Sequence, residues 1–282
     1  MSPGRTRQAE RSSLKDWLRG QRCLRKVLKA IHPLAPQRHL ANLEQWIRRG
    51  VHEPDFLIFD GLKKTRGLFL DIGANRGNSA LSVLNRTSAM RVLSLEPNTA
   101  LRWSLVLVWL LYPRRFRFRL VGAGDSKNKG WLSVPLGYGV DLSSQASMDP
   151  DELGKDYVRE RLGDEGGYGR VATRRVVIVP VDDLELAPDV VKIDVEGWEQ
   201  QVLNGMHRTL QQHKPVLIIE LNNRERWLGG LEQAGYEFFH YEVSDGLLHR
   251  GDLPASALNV FCIHREALSP VSQDIRKLLA PV

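Results

Sequence analysis

The stretch Leu68–Asn98, LFLDIGANRGNSALSVLNRTSAMRVLSLEPN, limits what this chain can fold into more than any other. An apolar run, Leu68-Phe69-Leu70, ends on Asp71, and a glycine turn, Ile72-Gly73-Ala74-Asn75-Arg76-Gly77, follows. Leu81 and Leu84 then sit at helical spacing, and a second apolar run, Val92–Leu95, ends on Glu96. A strand, a glycine turn, a helix and a second strand tipped by an acid begin a mononucleotide-binding half of a doubly wound sheet.

The rest of the chain continues the alternation. Thr99–Leu111 is apolar on most sides and predicts a helix packed on the sheet, ended by Pro113. Arg114–Gly124 alternates Arg with Phe or Leu, a strand period, and predicts the third strand. Gly130–Leu136 and Val176–Val181 are short strands, separated by a polar loop, a charged helix over Asp149–Leu162 and a turn-rich segment, Gly163–Gly169. Val190–Asp194 predicts a strand ending in a carboxylate, and Glu196-Gly197 opens a helix whose Val202, Leu203, Met206 and Leu210 form one apolar face. Pro215–Leu221 is a continuous apolar run, as in a strand buried on both faces. A helix over Trp227–Ala234, strands over Tyr236–Tyr241 and Val260–Ile263, and a terminal helix over Ser272–Leu279 complete the pattern. Alternating strands and helices imply a mostly parallel sheet that binds its ligand at the carboxyl ends of the strands.

Four acids fall at such ends: Asp71, Glu96, Asp194 and Glu220. Two ligand classes compete for the glycine turn. A dinucleotide needs G-x-G-x-x-G so that backbone N–H groups cradle a pyrophosphate. Here Gly73 and Gly77 are four apart, and Asn75 stands where the second glycine belongs. Asp71, just before the turn, would oppose a pyrophosphate and suit the cationic S-adenosylmethionine. Glu96 follows Gly77 by 19 residues, matching the ~20-residue spacing at which a carboxylate meets ribose hydroxyls in either class. A nicotinamide dehydrogenase is therefore disfavoured. Asp194 and Glu196 flank the cleft, and Glu220 and Asn222 end the next strand; a carboxylate there can orient or deprotonate an acceptor hydroxyl. Asp194, Glu220 and Asn222 could hold a divalent cation through oxygen, but the favoured reading is a hydrogen-bond network with no metal. Glu199 reads as helix N-terminal charge, His240 as structural, and the Ser143-Ser144-Gln145 loop as a polar turn or an acceptor contact.

From about Val51 to His264 the chain resembles the FkbM family of S-adenosylmethionine-dependent methyltransferases. The resemblance is carried by FLDIGANRG (Phe69–Gly77), LEPN (Leu95–Asn98), GAGDSKNKG (Gly122–Gly130), VPVDDL (Val179–Leu184), VVKIDVEGWEQQVLNG (Val190–Gly205) and PVLIIELN (Pro215–Asn222). It does not cover residues 1–50 or the insert Asp149–Arg170. It implies a class I methyltransferase fold, a Rossmann-like three-layer α/β sandwich with a mostly parallel seven-stranded sheet whose last strand is antiparallel. It further implies that Asp71, Gly73, Asn75 and Gly77 line the methionine part of the cofactor and that Glu96 accepts both ribose hydroxyls. Pro97 and Asn98 would shape that rim, Asp125 or Ser126 would sit by the adenine, and Asp194 would touch both cofactor and acceptor. The implied activity is O-methylation of a small-molecule acceptor such as a saccharide, with Asp194, Glu196 and Glu220 as the catalytic carboxylates.

Charge divides the chain. Residues 1–50 carry 12 Lys and Arg against three acids, and the remainder is close to neutral. These residues predict a basic helical extension, with residues 51–282 as the catalytic domain. A non-catalytic module whose basic arm binds nucleic acid or an anionic membrane is the competing reading. It is disfavoured because aromatic residues are sparse in the arm and no nucleic-acid motif accompanies it. No apolar run approaches the ~20 residues of a membrane helix, no signal-peptide pattern is visible, and Cys23 and Cys262 lack metal-ligand spacing. The expectation is a cytoplasmic enzyme with reduced thiols. Nothing in the sequence specifies an oligomer.

Overall fold

The computed structural model describes residues 50–137, 140–141, 146–148, 171–221, 223–251, 253–254 and 257–281. The expected arm helices, the Ser143-Ser144-Gln145 loop, the helix over Asp149–Leu162, the Gly163–Gly169 turn and Asn222 lie outside these residues. The strands are β1 Gly67–Ile72, β2 Met90–Leu95, β3 Phe116–Arg119, β4 Gly122–Ala123, β5 Asn128–Gly137, β6 Val140–Asp141, β7 Val171–Val179, β8 Val190–Ile193, β9 Val216–Glu220, β10 Tyr236–Glu242, β11 Leu247–Arg250 and β12 Asn259–His264. The helices are α1 Asn78–Arg86, α2 Arg102–Leu111, α3 Glu199–Asn204, α4 His207–His213, α5 Arg224–Gln233 and α6 Pro270–Arg276.

Eight strands form the main sheet in the order β11-β10-β12-β9-β8-β1-β2-β3. From β9 to β3 every pairing is parallel, and β12 runs antiparallel to both β9 and β10. The seven strands from β10 to β3 have the order and the reversed strand of a class I methyltransferase, and β11 adds an eighth at the edge. That eighth strand was not anticipated, although the Asp245-Gly246 pair before it, with Gly246 at φ +75°, is a hairpin signal.

Period-two alternation splits the sheet into two faces. Phe69, Val92, Val190, Val216, Ile218 and Phe261 point to one side and pack with α1, α6 and a 3-10 helix over Pro54–Leu62. Leu70, Ile72, Val191, Ile193, Leu217, Ile219 and Val260 point to the other, against Val202, Leu203, Met206, Trp227 and Leu231 of α3 to α5. On the first face, Phe56 and Phe59 of the 3-10 helix pack around Phe69, the Phe59 ring edge-on at 5.6 Å. Each buried phenyl contributes about 2–3 kcal/mol, which fixes the segment entering the domain against the sheet.

Two predicted elements are interrupted, each for a visible reason. The strand expected over Arg114–Gly124 divides: Phe116–Arg119 pairs with β2, whereas Gly122-Ala123 pairs with Ile178-Val179 of β7 in a separate four-stranded sheet, β4-β7-β5-β6. The helix expected after Glu196 breaks at Gly205. Its carbonyl accepts the Asp182 N–H, and the Asp182 carboxylate accepts the N–H groups of Arg208 and Thr209, starting α4 afresh. Gly205 also lies on the Gly124 carbonyl so closely that a Cβ would come within 1.8 Å of that oxygen. Gly205→Ala must therefore push α3 off the Gly122–Gly124 turn. The expected loss is about 2 kcal/mol, within the range for overpacking, read as a lowered urea midpoint.

Candidate active site at the carboxyl ends of the parallel strands

The turn after β1 shapes the floor of the site. Gly73 has φ +83°, and a Cβ on it would lie 1.7 Å from the Asp194 carbonyl oxygen, so only glycine lets the β1 and β8 loops meet. The N–H groups of Gly73 and Ala74 both donate to the Leu95 carbonyl. Asn75 follows at φ +49°, a left-handed conformation that Asn tolerates. Its N–H donates to Glu96 Oε2 at 2.7 Å, and the Asn98 N–H donates to Glu96 Oε1 at 2.7 Å. Glu96 is thus held on both oxygens at the tip of β2, with lone pairs left on each for further donors. Burial pushes its carboxyl up, against those two hydrogen bonds, to about 8.

A cavity of about 410 Å³ lies over this floor, within the size range of small-molecule sites. Of the residues singled out from sequence, Gly73, Asn75, Glu96, Pro97, Asp194, Glu196 and Glu220 line it. Ile72, Ala123, Leu132 and Met148 supply apolar wall, the last two from or beside the small sheet. His52 and Glu53 also line it, and nothing in the sequence pattern marked them.

Five expected site residues lie elsewhere. Asp71 is fully buried behind the turn, its Oδ2 accepting from Ser94 Oγ at 2.7 Å. Gly77, at φ +83°, starts α1 against Val108, where a Cβ would come within 2.9 Å of a Val108 methyl. Asn98 is buried; its side-chain oxygen caps the turn at Ala100 and accepts from Arg174 of β7. Asp125 and Ser126 are exposed and hydrogen-bonded to each other at 2.9 Å. His240 stacks on His249 at 5.7 Å and does not line the cavity. Glu199 is buried and accepts the Gly197 N–H at 3.1 Å; burial lifts its carboxyl to about 7, against backbone hydrogen bonds.

One residue that the sequence reading passed over organises the far side. Lys192 is 1% exposed, and its ammonium lies 2.5 Å from Asp194 Oδ2. In the sheet Lys192 is opposite Asp71, which is opposite Ser94, so parallel register places the three side chains in one row on one face. Burial lowers the pKa of an ammonium, but Asp194, Glu53 and Asp71 more than compensate, and the Lys192 value is raised. Burial lifts Asp71 to about 6, with Lys192 and Ser94 opposing. For Glu53, burial again raises, but the His52 hydrogen bond, the Lys192 charge and Asn259 outweigh it and hold the carboxyl at about 2.

Asp194, Glu196 and Glu220 each bring one oxygen within 4.8 Å of the others. Such a set can hold a divalent cation through oxygen; Asp194 and Glu196 come from the loop after β8 and Glu220 from the end of β9. In this structure protein groups balance the charge. Lys192 pairs with Asp194. Burial and then repulsion from Asp194 and Glu196 push Glu220 well above the ordinary carboxyl range. Glu196 sits at φ +50°, uncommon for its type, and Ser147 Oγ donates to its carbonyl at 2.6 Å. Strain of this kind is characteristic of functional loops.

A family model described as the Methyltransferase FkbM domain matches residues 71–250. No curated protein matches the chain. Among solved structures, the chain is similar to a methyltransferase FkbM from Methylobacillus flagellatus KT, at 20% identity over 71% of this chain and 44% of that one, with a TM-score of 0.45. It thus spans less than half of that protein's length. It is also similar to a TehB-like SAM-dependent methyltransferase from Corynebacterium glutamicum ATCC 13032 Kitasato (12% identity, 82% and 100% coverage, TM-score 0.41). Human methyltransferase-like protein 13, solved in complex with SAH, is similar at 12% identity, 88% and 95% coverage and a TM-score of 0.37.

The row through Lys192 makes a direct prediction. Removing one partner of a buried ion pair costs about 3–5 kcal/mol, because the remaining charge is stranded. Lys192→Met is expected to lose about that much at pH 7. The loss should be smaller at pH 5, where Asp71, with its value near 6, takes up a proton. Urea unfolding at the two pH values measures the difference.

Proposed function

The chain belongs to the FkbM methyltransferase family, and on that premise we propose that it transfers a methyl group from S-adenosylmethionine to a hydroxyl of a small-molecule acceptor, a saccharide or related natural product. One observation carries this reading. A single cavity joins Glu96, a doubly anchored strand-end carboxylate, to the Asp194, Glu196 and Glu220 cluster.

The residues present fit the cofactor. Glu96 has acceptor capacity on both oxygens for a pair of vicinal hydroxyls. Gly73 leaves the floor open where any side chain would collide with Asp194. Pro97, Ala123, Leu132 and Met148 offer an apolar wall for a base. Bound S-adenosylmethionine supplies an electrophilic methyl group on a sulfonium. The protein then has to hold the acceptor oxygen in line with that methyl and exclude water. A hydroxyl also has to lose its proton. The cluster suits the hydroxyl: Asp194, fixed by Lys192, and Glu220 bring polar oxygens together over the floor, where an acceptor oxygen can be held.

No helix among the described residues is long and apolar enough to cross a membrane, consistent with a diffusible acceptor. The cytoplasmic location expected from the sequence belongs to the same proposal.

Ribose hydroxyls donate best to an ionised carboxylate. Glu96, at about 8 in the free protein, should therefore release a proton when the cofactor binds. Affinity for S-adenosylhomocysteine is expected to rise with pH from neutrality to about 8 and then level off. Calorimetry in buffers of different ionisation enthalpy should show up to one proton released. Glu96→Gln should weaken binding at least ~10-fold, the cost of about one charge-assisted hydrogen bond, and should abolish the proton release. Undetectable binding of this ligand to the wild type would end the reading.

A further inference from the structure

The carboxylate cluster is poorly disposed to act as the base of the proposed reaction. Asp194 is tied to a buried ammonium, and Glu196 and Glu220 crowd against it, each with an oxygen within 4.8 Å of the others. A base in the same cavity has to come from elsewhere. The segment that enters the domain brings one. His52 lines the cavity together with Gly73, Asp194 and Glu220. Its Nε2 lies 3.1 Å from Glu53 Oε1, and its backbone N–H donates to Ser82 Oγ on α1 at 3.0 Å.

Glu53 is anchored from a distant part of the chain. Its Oε2 accepts from Asn259 Nδ2 at 2.8 Å, and the same amide donates to Asp55 Oδ2 at 3.0 Å. Asn259 begins β12 and is buried opposite Glu220 of β9. The His52–Glu53 pair therefore stands at the Glu220 end of the cleft. Imidazole held by a carboxylate on one nitrogen, with that carboxylate held by a further group, is how a general base is oriented in acyl-transfer triads. The charged groups acting on this part of the cleft are Glu53 and Asp55 from the same segment, Asp71 from β1, Lys192 with its partner Asp194 at β8, and Glu220 at the end of β9.

We propose that His52 is the general base that receives the acceptor's hydroxyl proton, and that Glu53, fixed by Asn259, is the residue that positions its ring. The proposal rests on the hydroxyl-acceptor reading above. The step balances simply. The acceptor oxygen forms a bond to the methyl carbon, the carbon–sulfur bond breaks, its electron pair stays on sulfur to give the neutral thioether, and the hydroxyl proton passes to the imidazole. Glu53 keeps Nε2 as the nitrogen that donates to it, so the other ring nitrogen, Nδ1, takes the proton.

The test uses the full chain, methyl-tritiated S-adenosylmethionine and the low-molecular-mass fraction of a cell extract, with S-adenosylhomocysteine affinity measured in parallel. His52→Gln is expected to slow label transfer ~100-fold or more, the usual worth of a general base, while that affinity stays within ~3-fold. Glu53→Gln is expected to slow transfer ~10-fold at saturating acceptor while S-adenosylhomocysteine affinity is unchanged. Glu53→Asp should recover part of the rate. Transfer by His52→Gln at the wild-type rate would overturn the proposal and leave the methyltransferase reading standing. So would a loss of cofactor affinity in step with the loss of rate, which would make His52 a cofactor ligand. Transfer by Glu53→Gln at the wild-type rate would remove Glu53 from its role. Absence of transfer by the wild type, or label only on amine nitrogen, would remove the hydroxyl-acceptor reading and the base with it.

Discussion

A buried cation is the constraint around which this site is assembled. Lys192 has almost no contact with water, and an unpaired ammonium there would be prohibitively costly. The protein meets the cost with carboxylates from three elements: Asp194 after β8, Asp71 on β1 and Glu53 from the entering segment. Each of these is in turn fixed by something else. Asp71 takes the Ser94 hydroxyl, Glu53 takes the Asn259 amide, and the Asp194 carbonyl sits where Gly73 has no side chain. The ammonium thus ties the floor of the cavity, its catalytic edge and the segment that closes it into one electrostatic unit. Because Lys192 and Asp71 at its centre are buried, the unit is held more narrowly than a surface ion pair is.

That arrangement explains how carboxylates so close in sequence pattern come to differ in charge state. Glu53 is kept ionised by partners that overcome burial, whereas Glu96 and Glu220 are lifted by burial that their partners do not overcome. Glu96 receives only two neutral N–H donors. Glu220 faces two other acids. Acids lining one cleft are therefore shifted upward for different reasons, Glu96 by burial against neutral donors and Glu220 by burial together with like charge. A separation of this kind between neighbouring acids is what divides donor and acceptor roles in an enzyme site.

Much of this was legible in the sequence, because a strand that buries both faces and then ends on an acid has few alternatives. Glu96, Asp194 and Glu220 stand out that way and Glu196 by its place at the start of the next helical stretch, and the four line one cavity. Asp71 was found by the same rule but given the wrong outlook. Its side chain shares the face of Phe69, two residues before it, and so points into the sheet packing; the electrostatic case against a pyrophosphate cannot rest on it. Alternation within β1 already contained that information, and the acid at the strand end drew attention away from it. Lys192 was hidden for the opposite reason, since a lysine between Val191 and Ile193 reads as a break in an apolar strand. The splits at Leu120-Val121 and at Gly205 depend on partners remote in sequence, Ile178 and Gly124, and local periodicity carries no trace of them.

His52 and Glu53 mark where sequence reading ran out. They lie in an unpatterned link between the basic arm and β1, and their place is set by Phe56 and Phe59 packing on Phe69 and by an amide 206 residues away. The quoted family blocks begin at Phe69 and the family model matches from residue 71, so neither gives His52 or Glu53 a role. Yet the link reaches the same cavity, beside Glu220. Here that segment brings an imidazole and a carboxylate in adjacent positions. Its aromatic residues hold it down, its carboxylate is bound to β12, and the charge that carboxylate needs is supplied by Lys192 from beneath. The chemistry of the cleft and the packing of its entering segment therefore depend on one another.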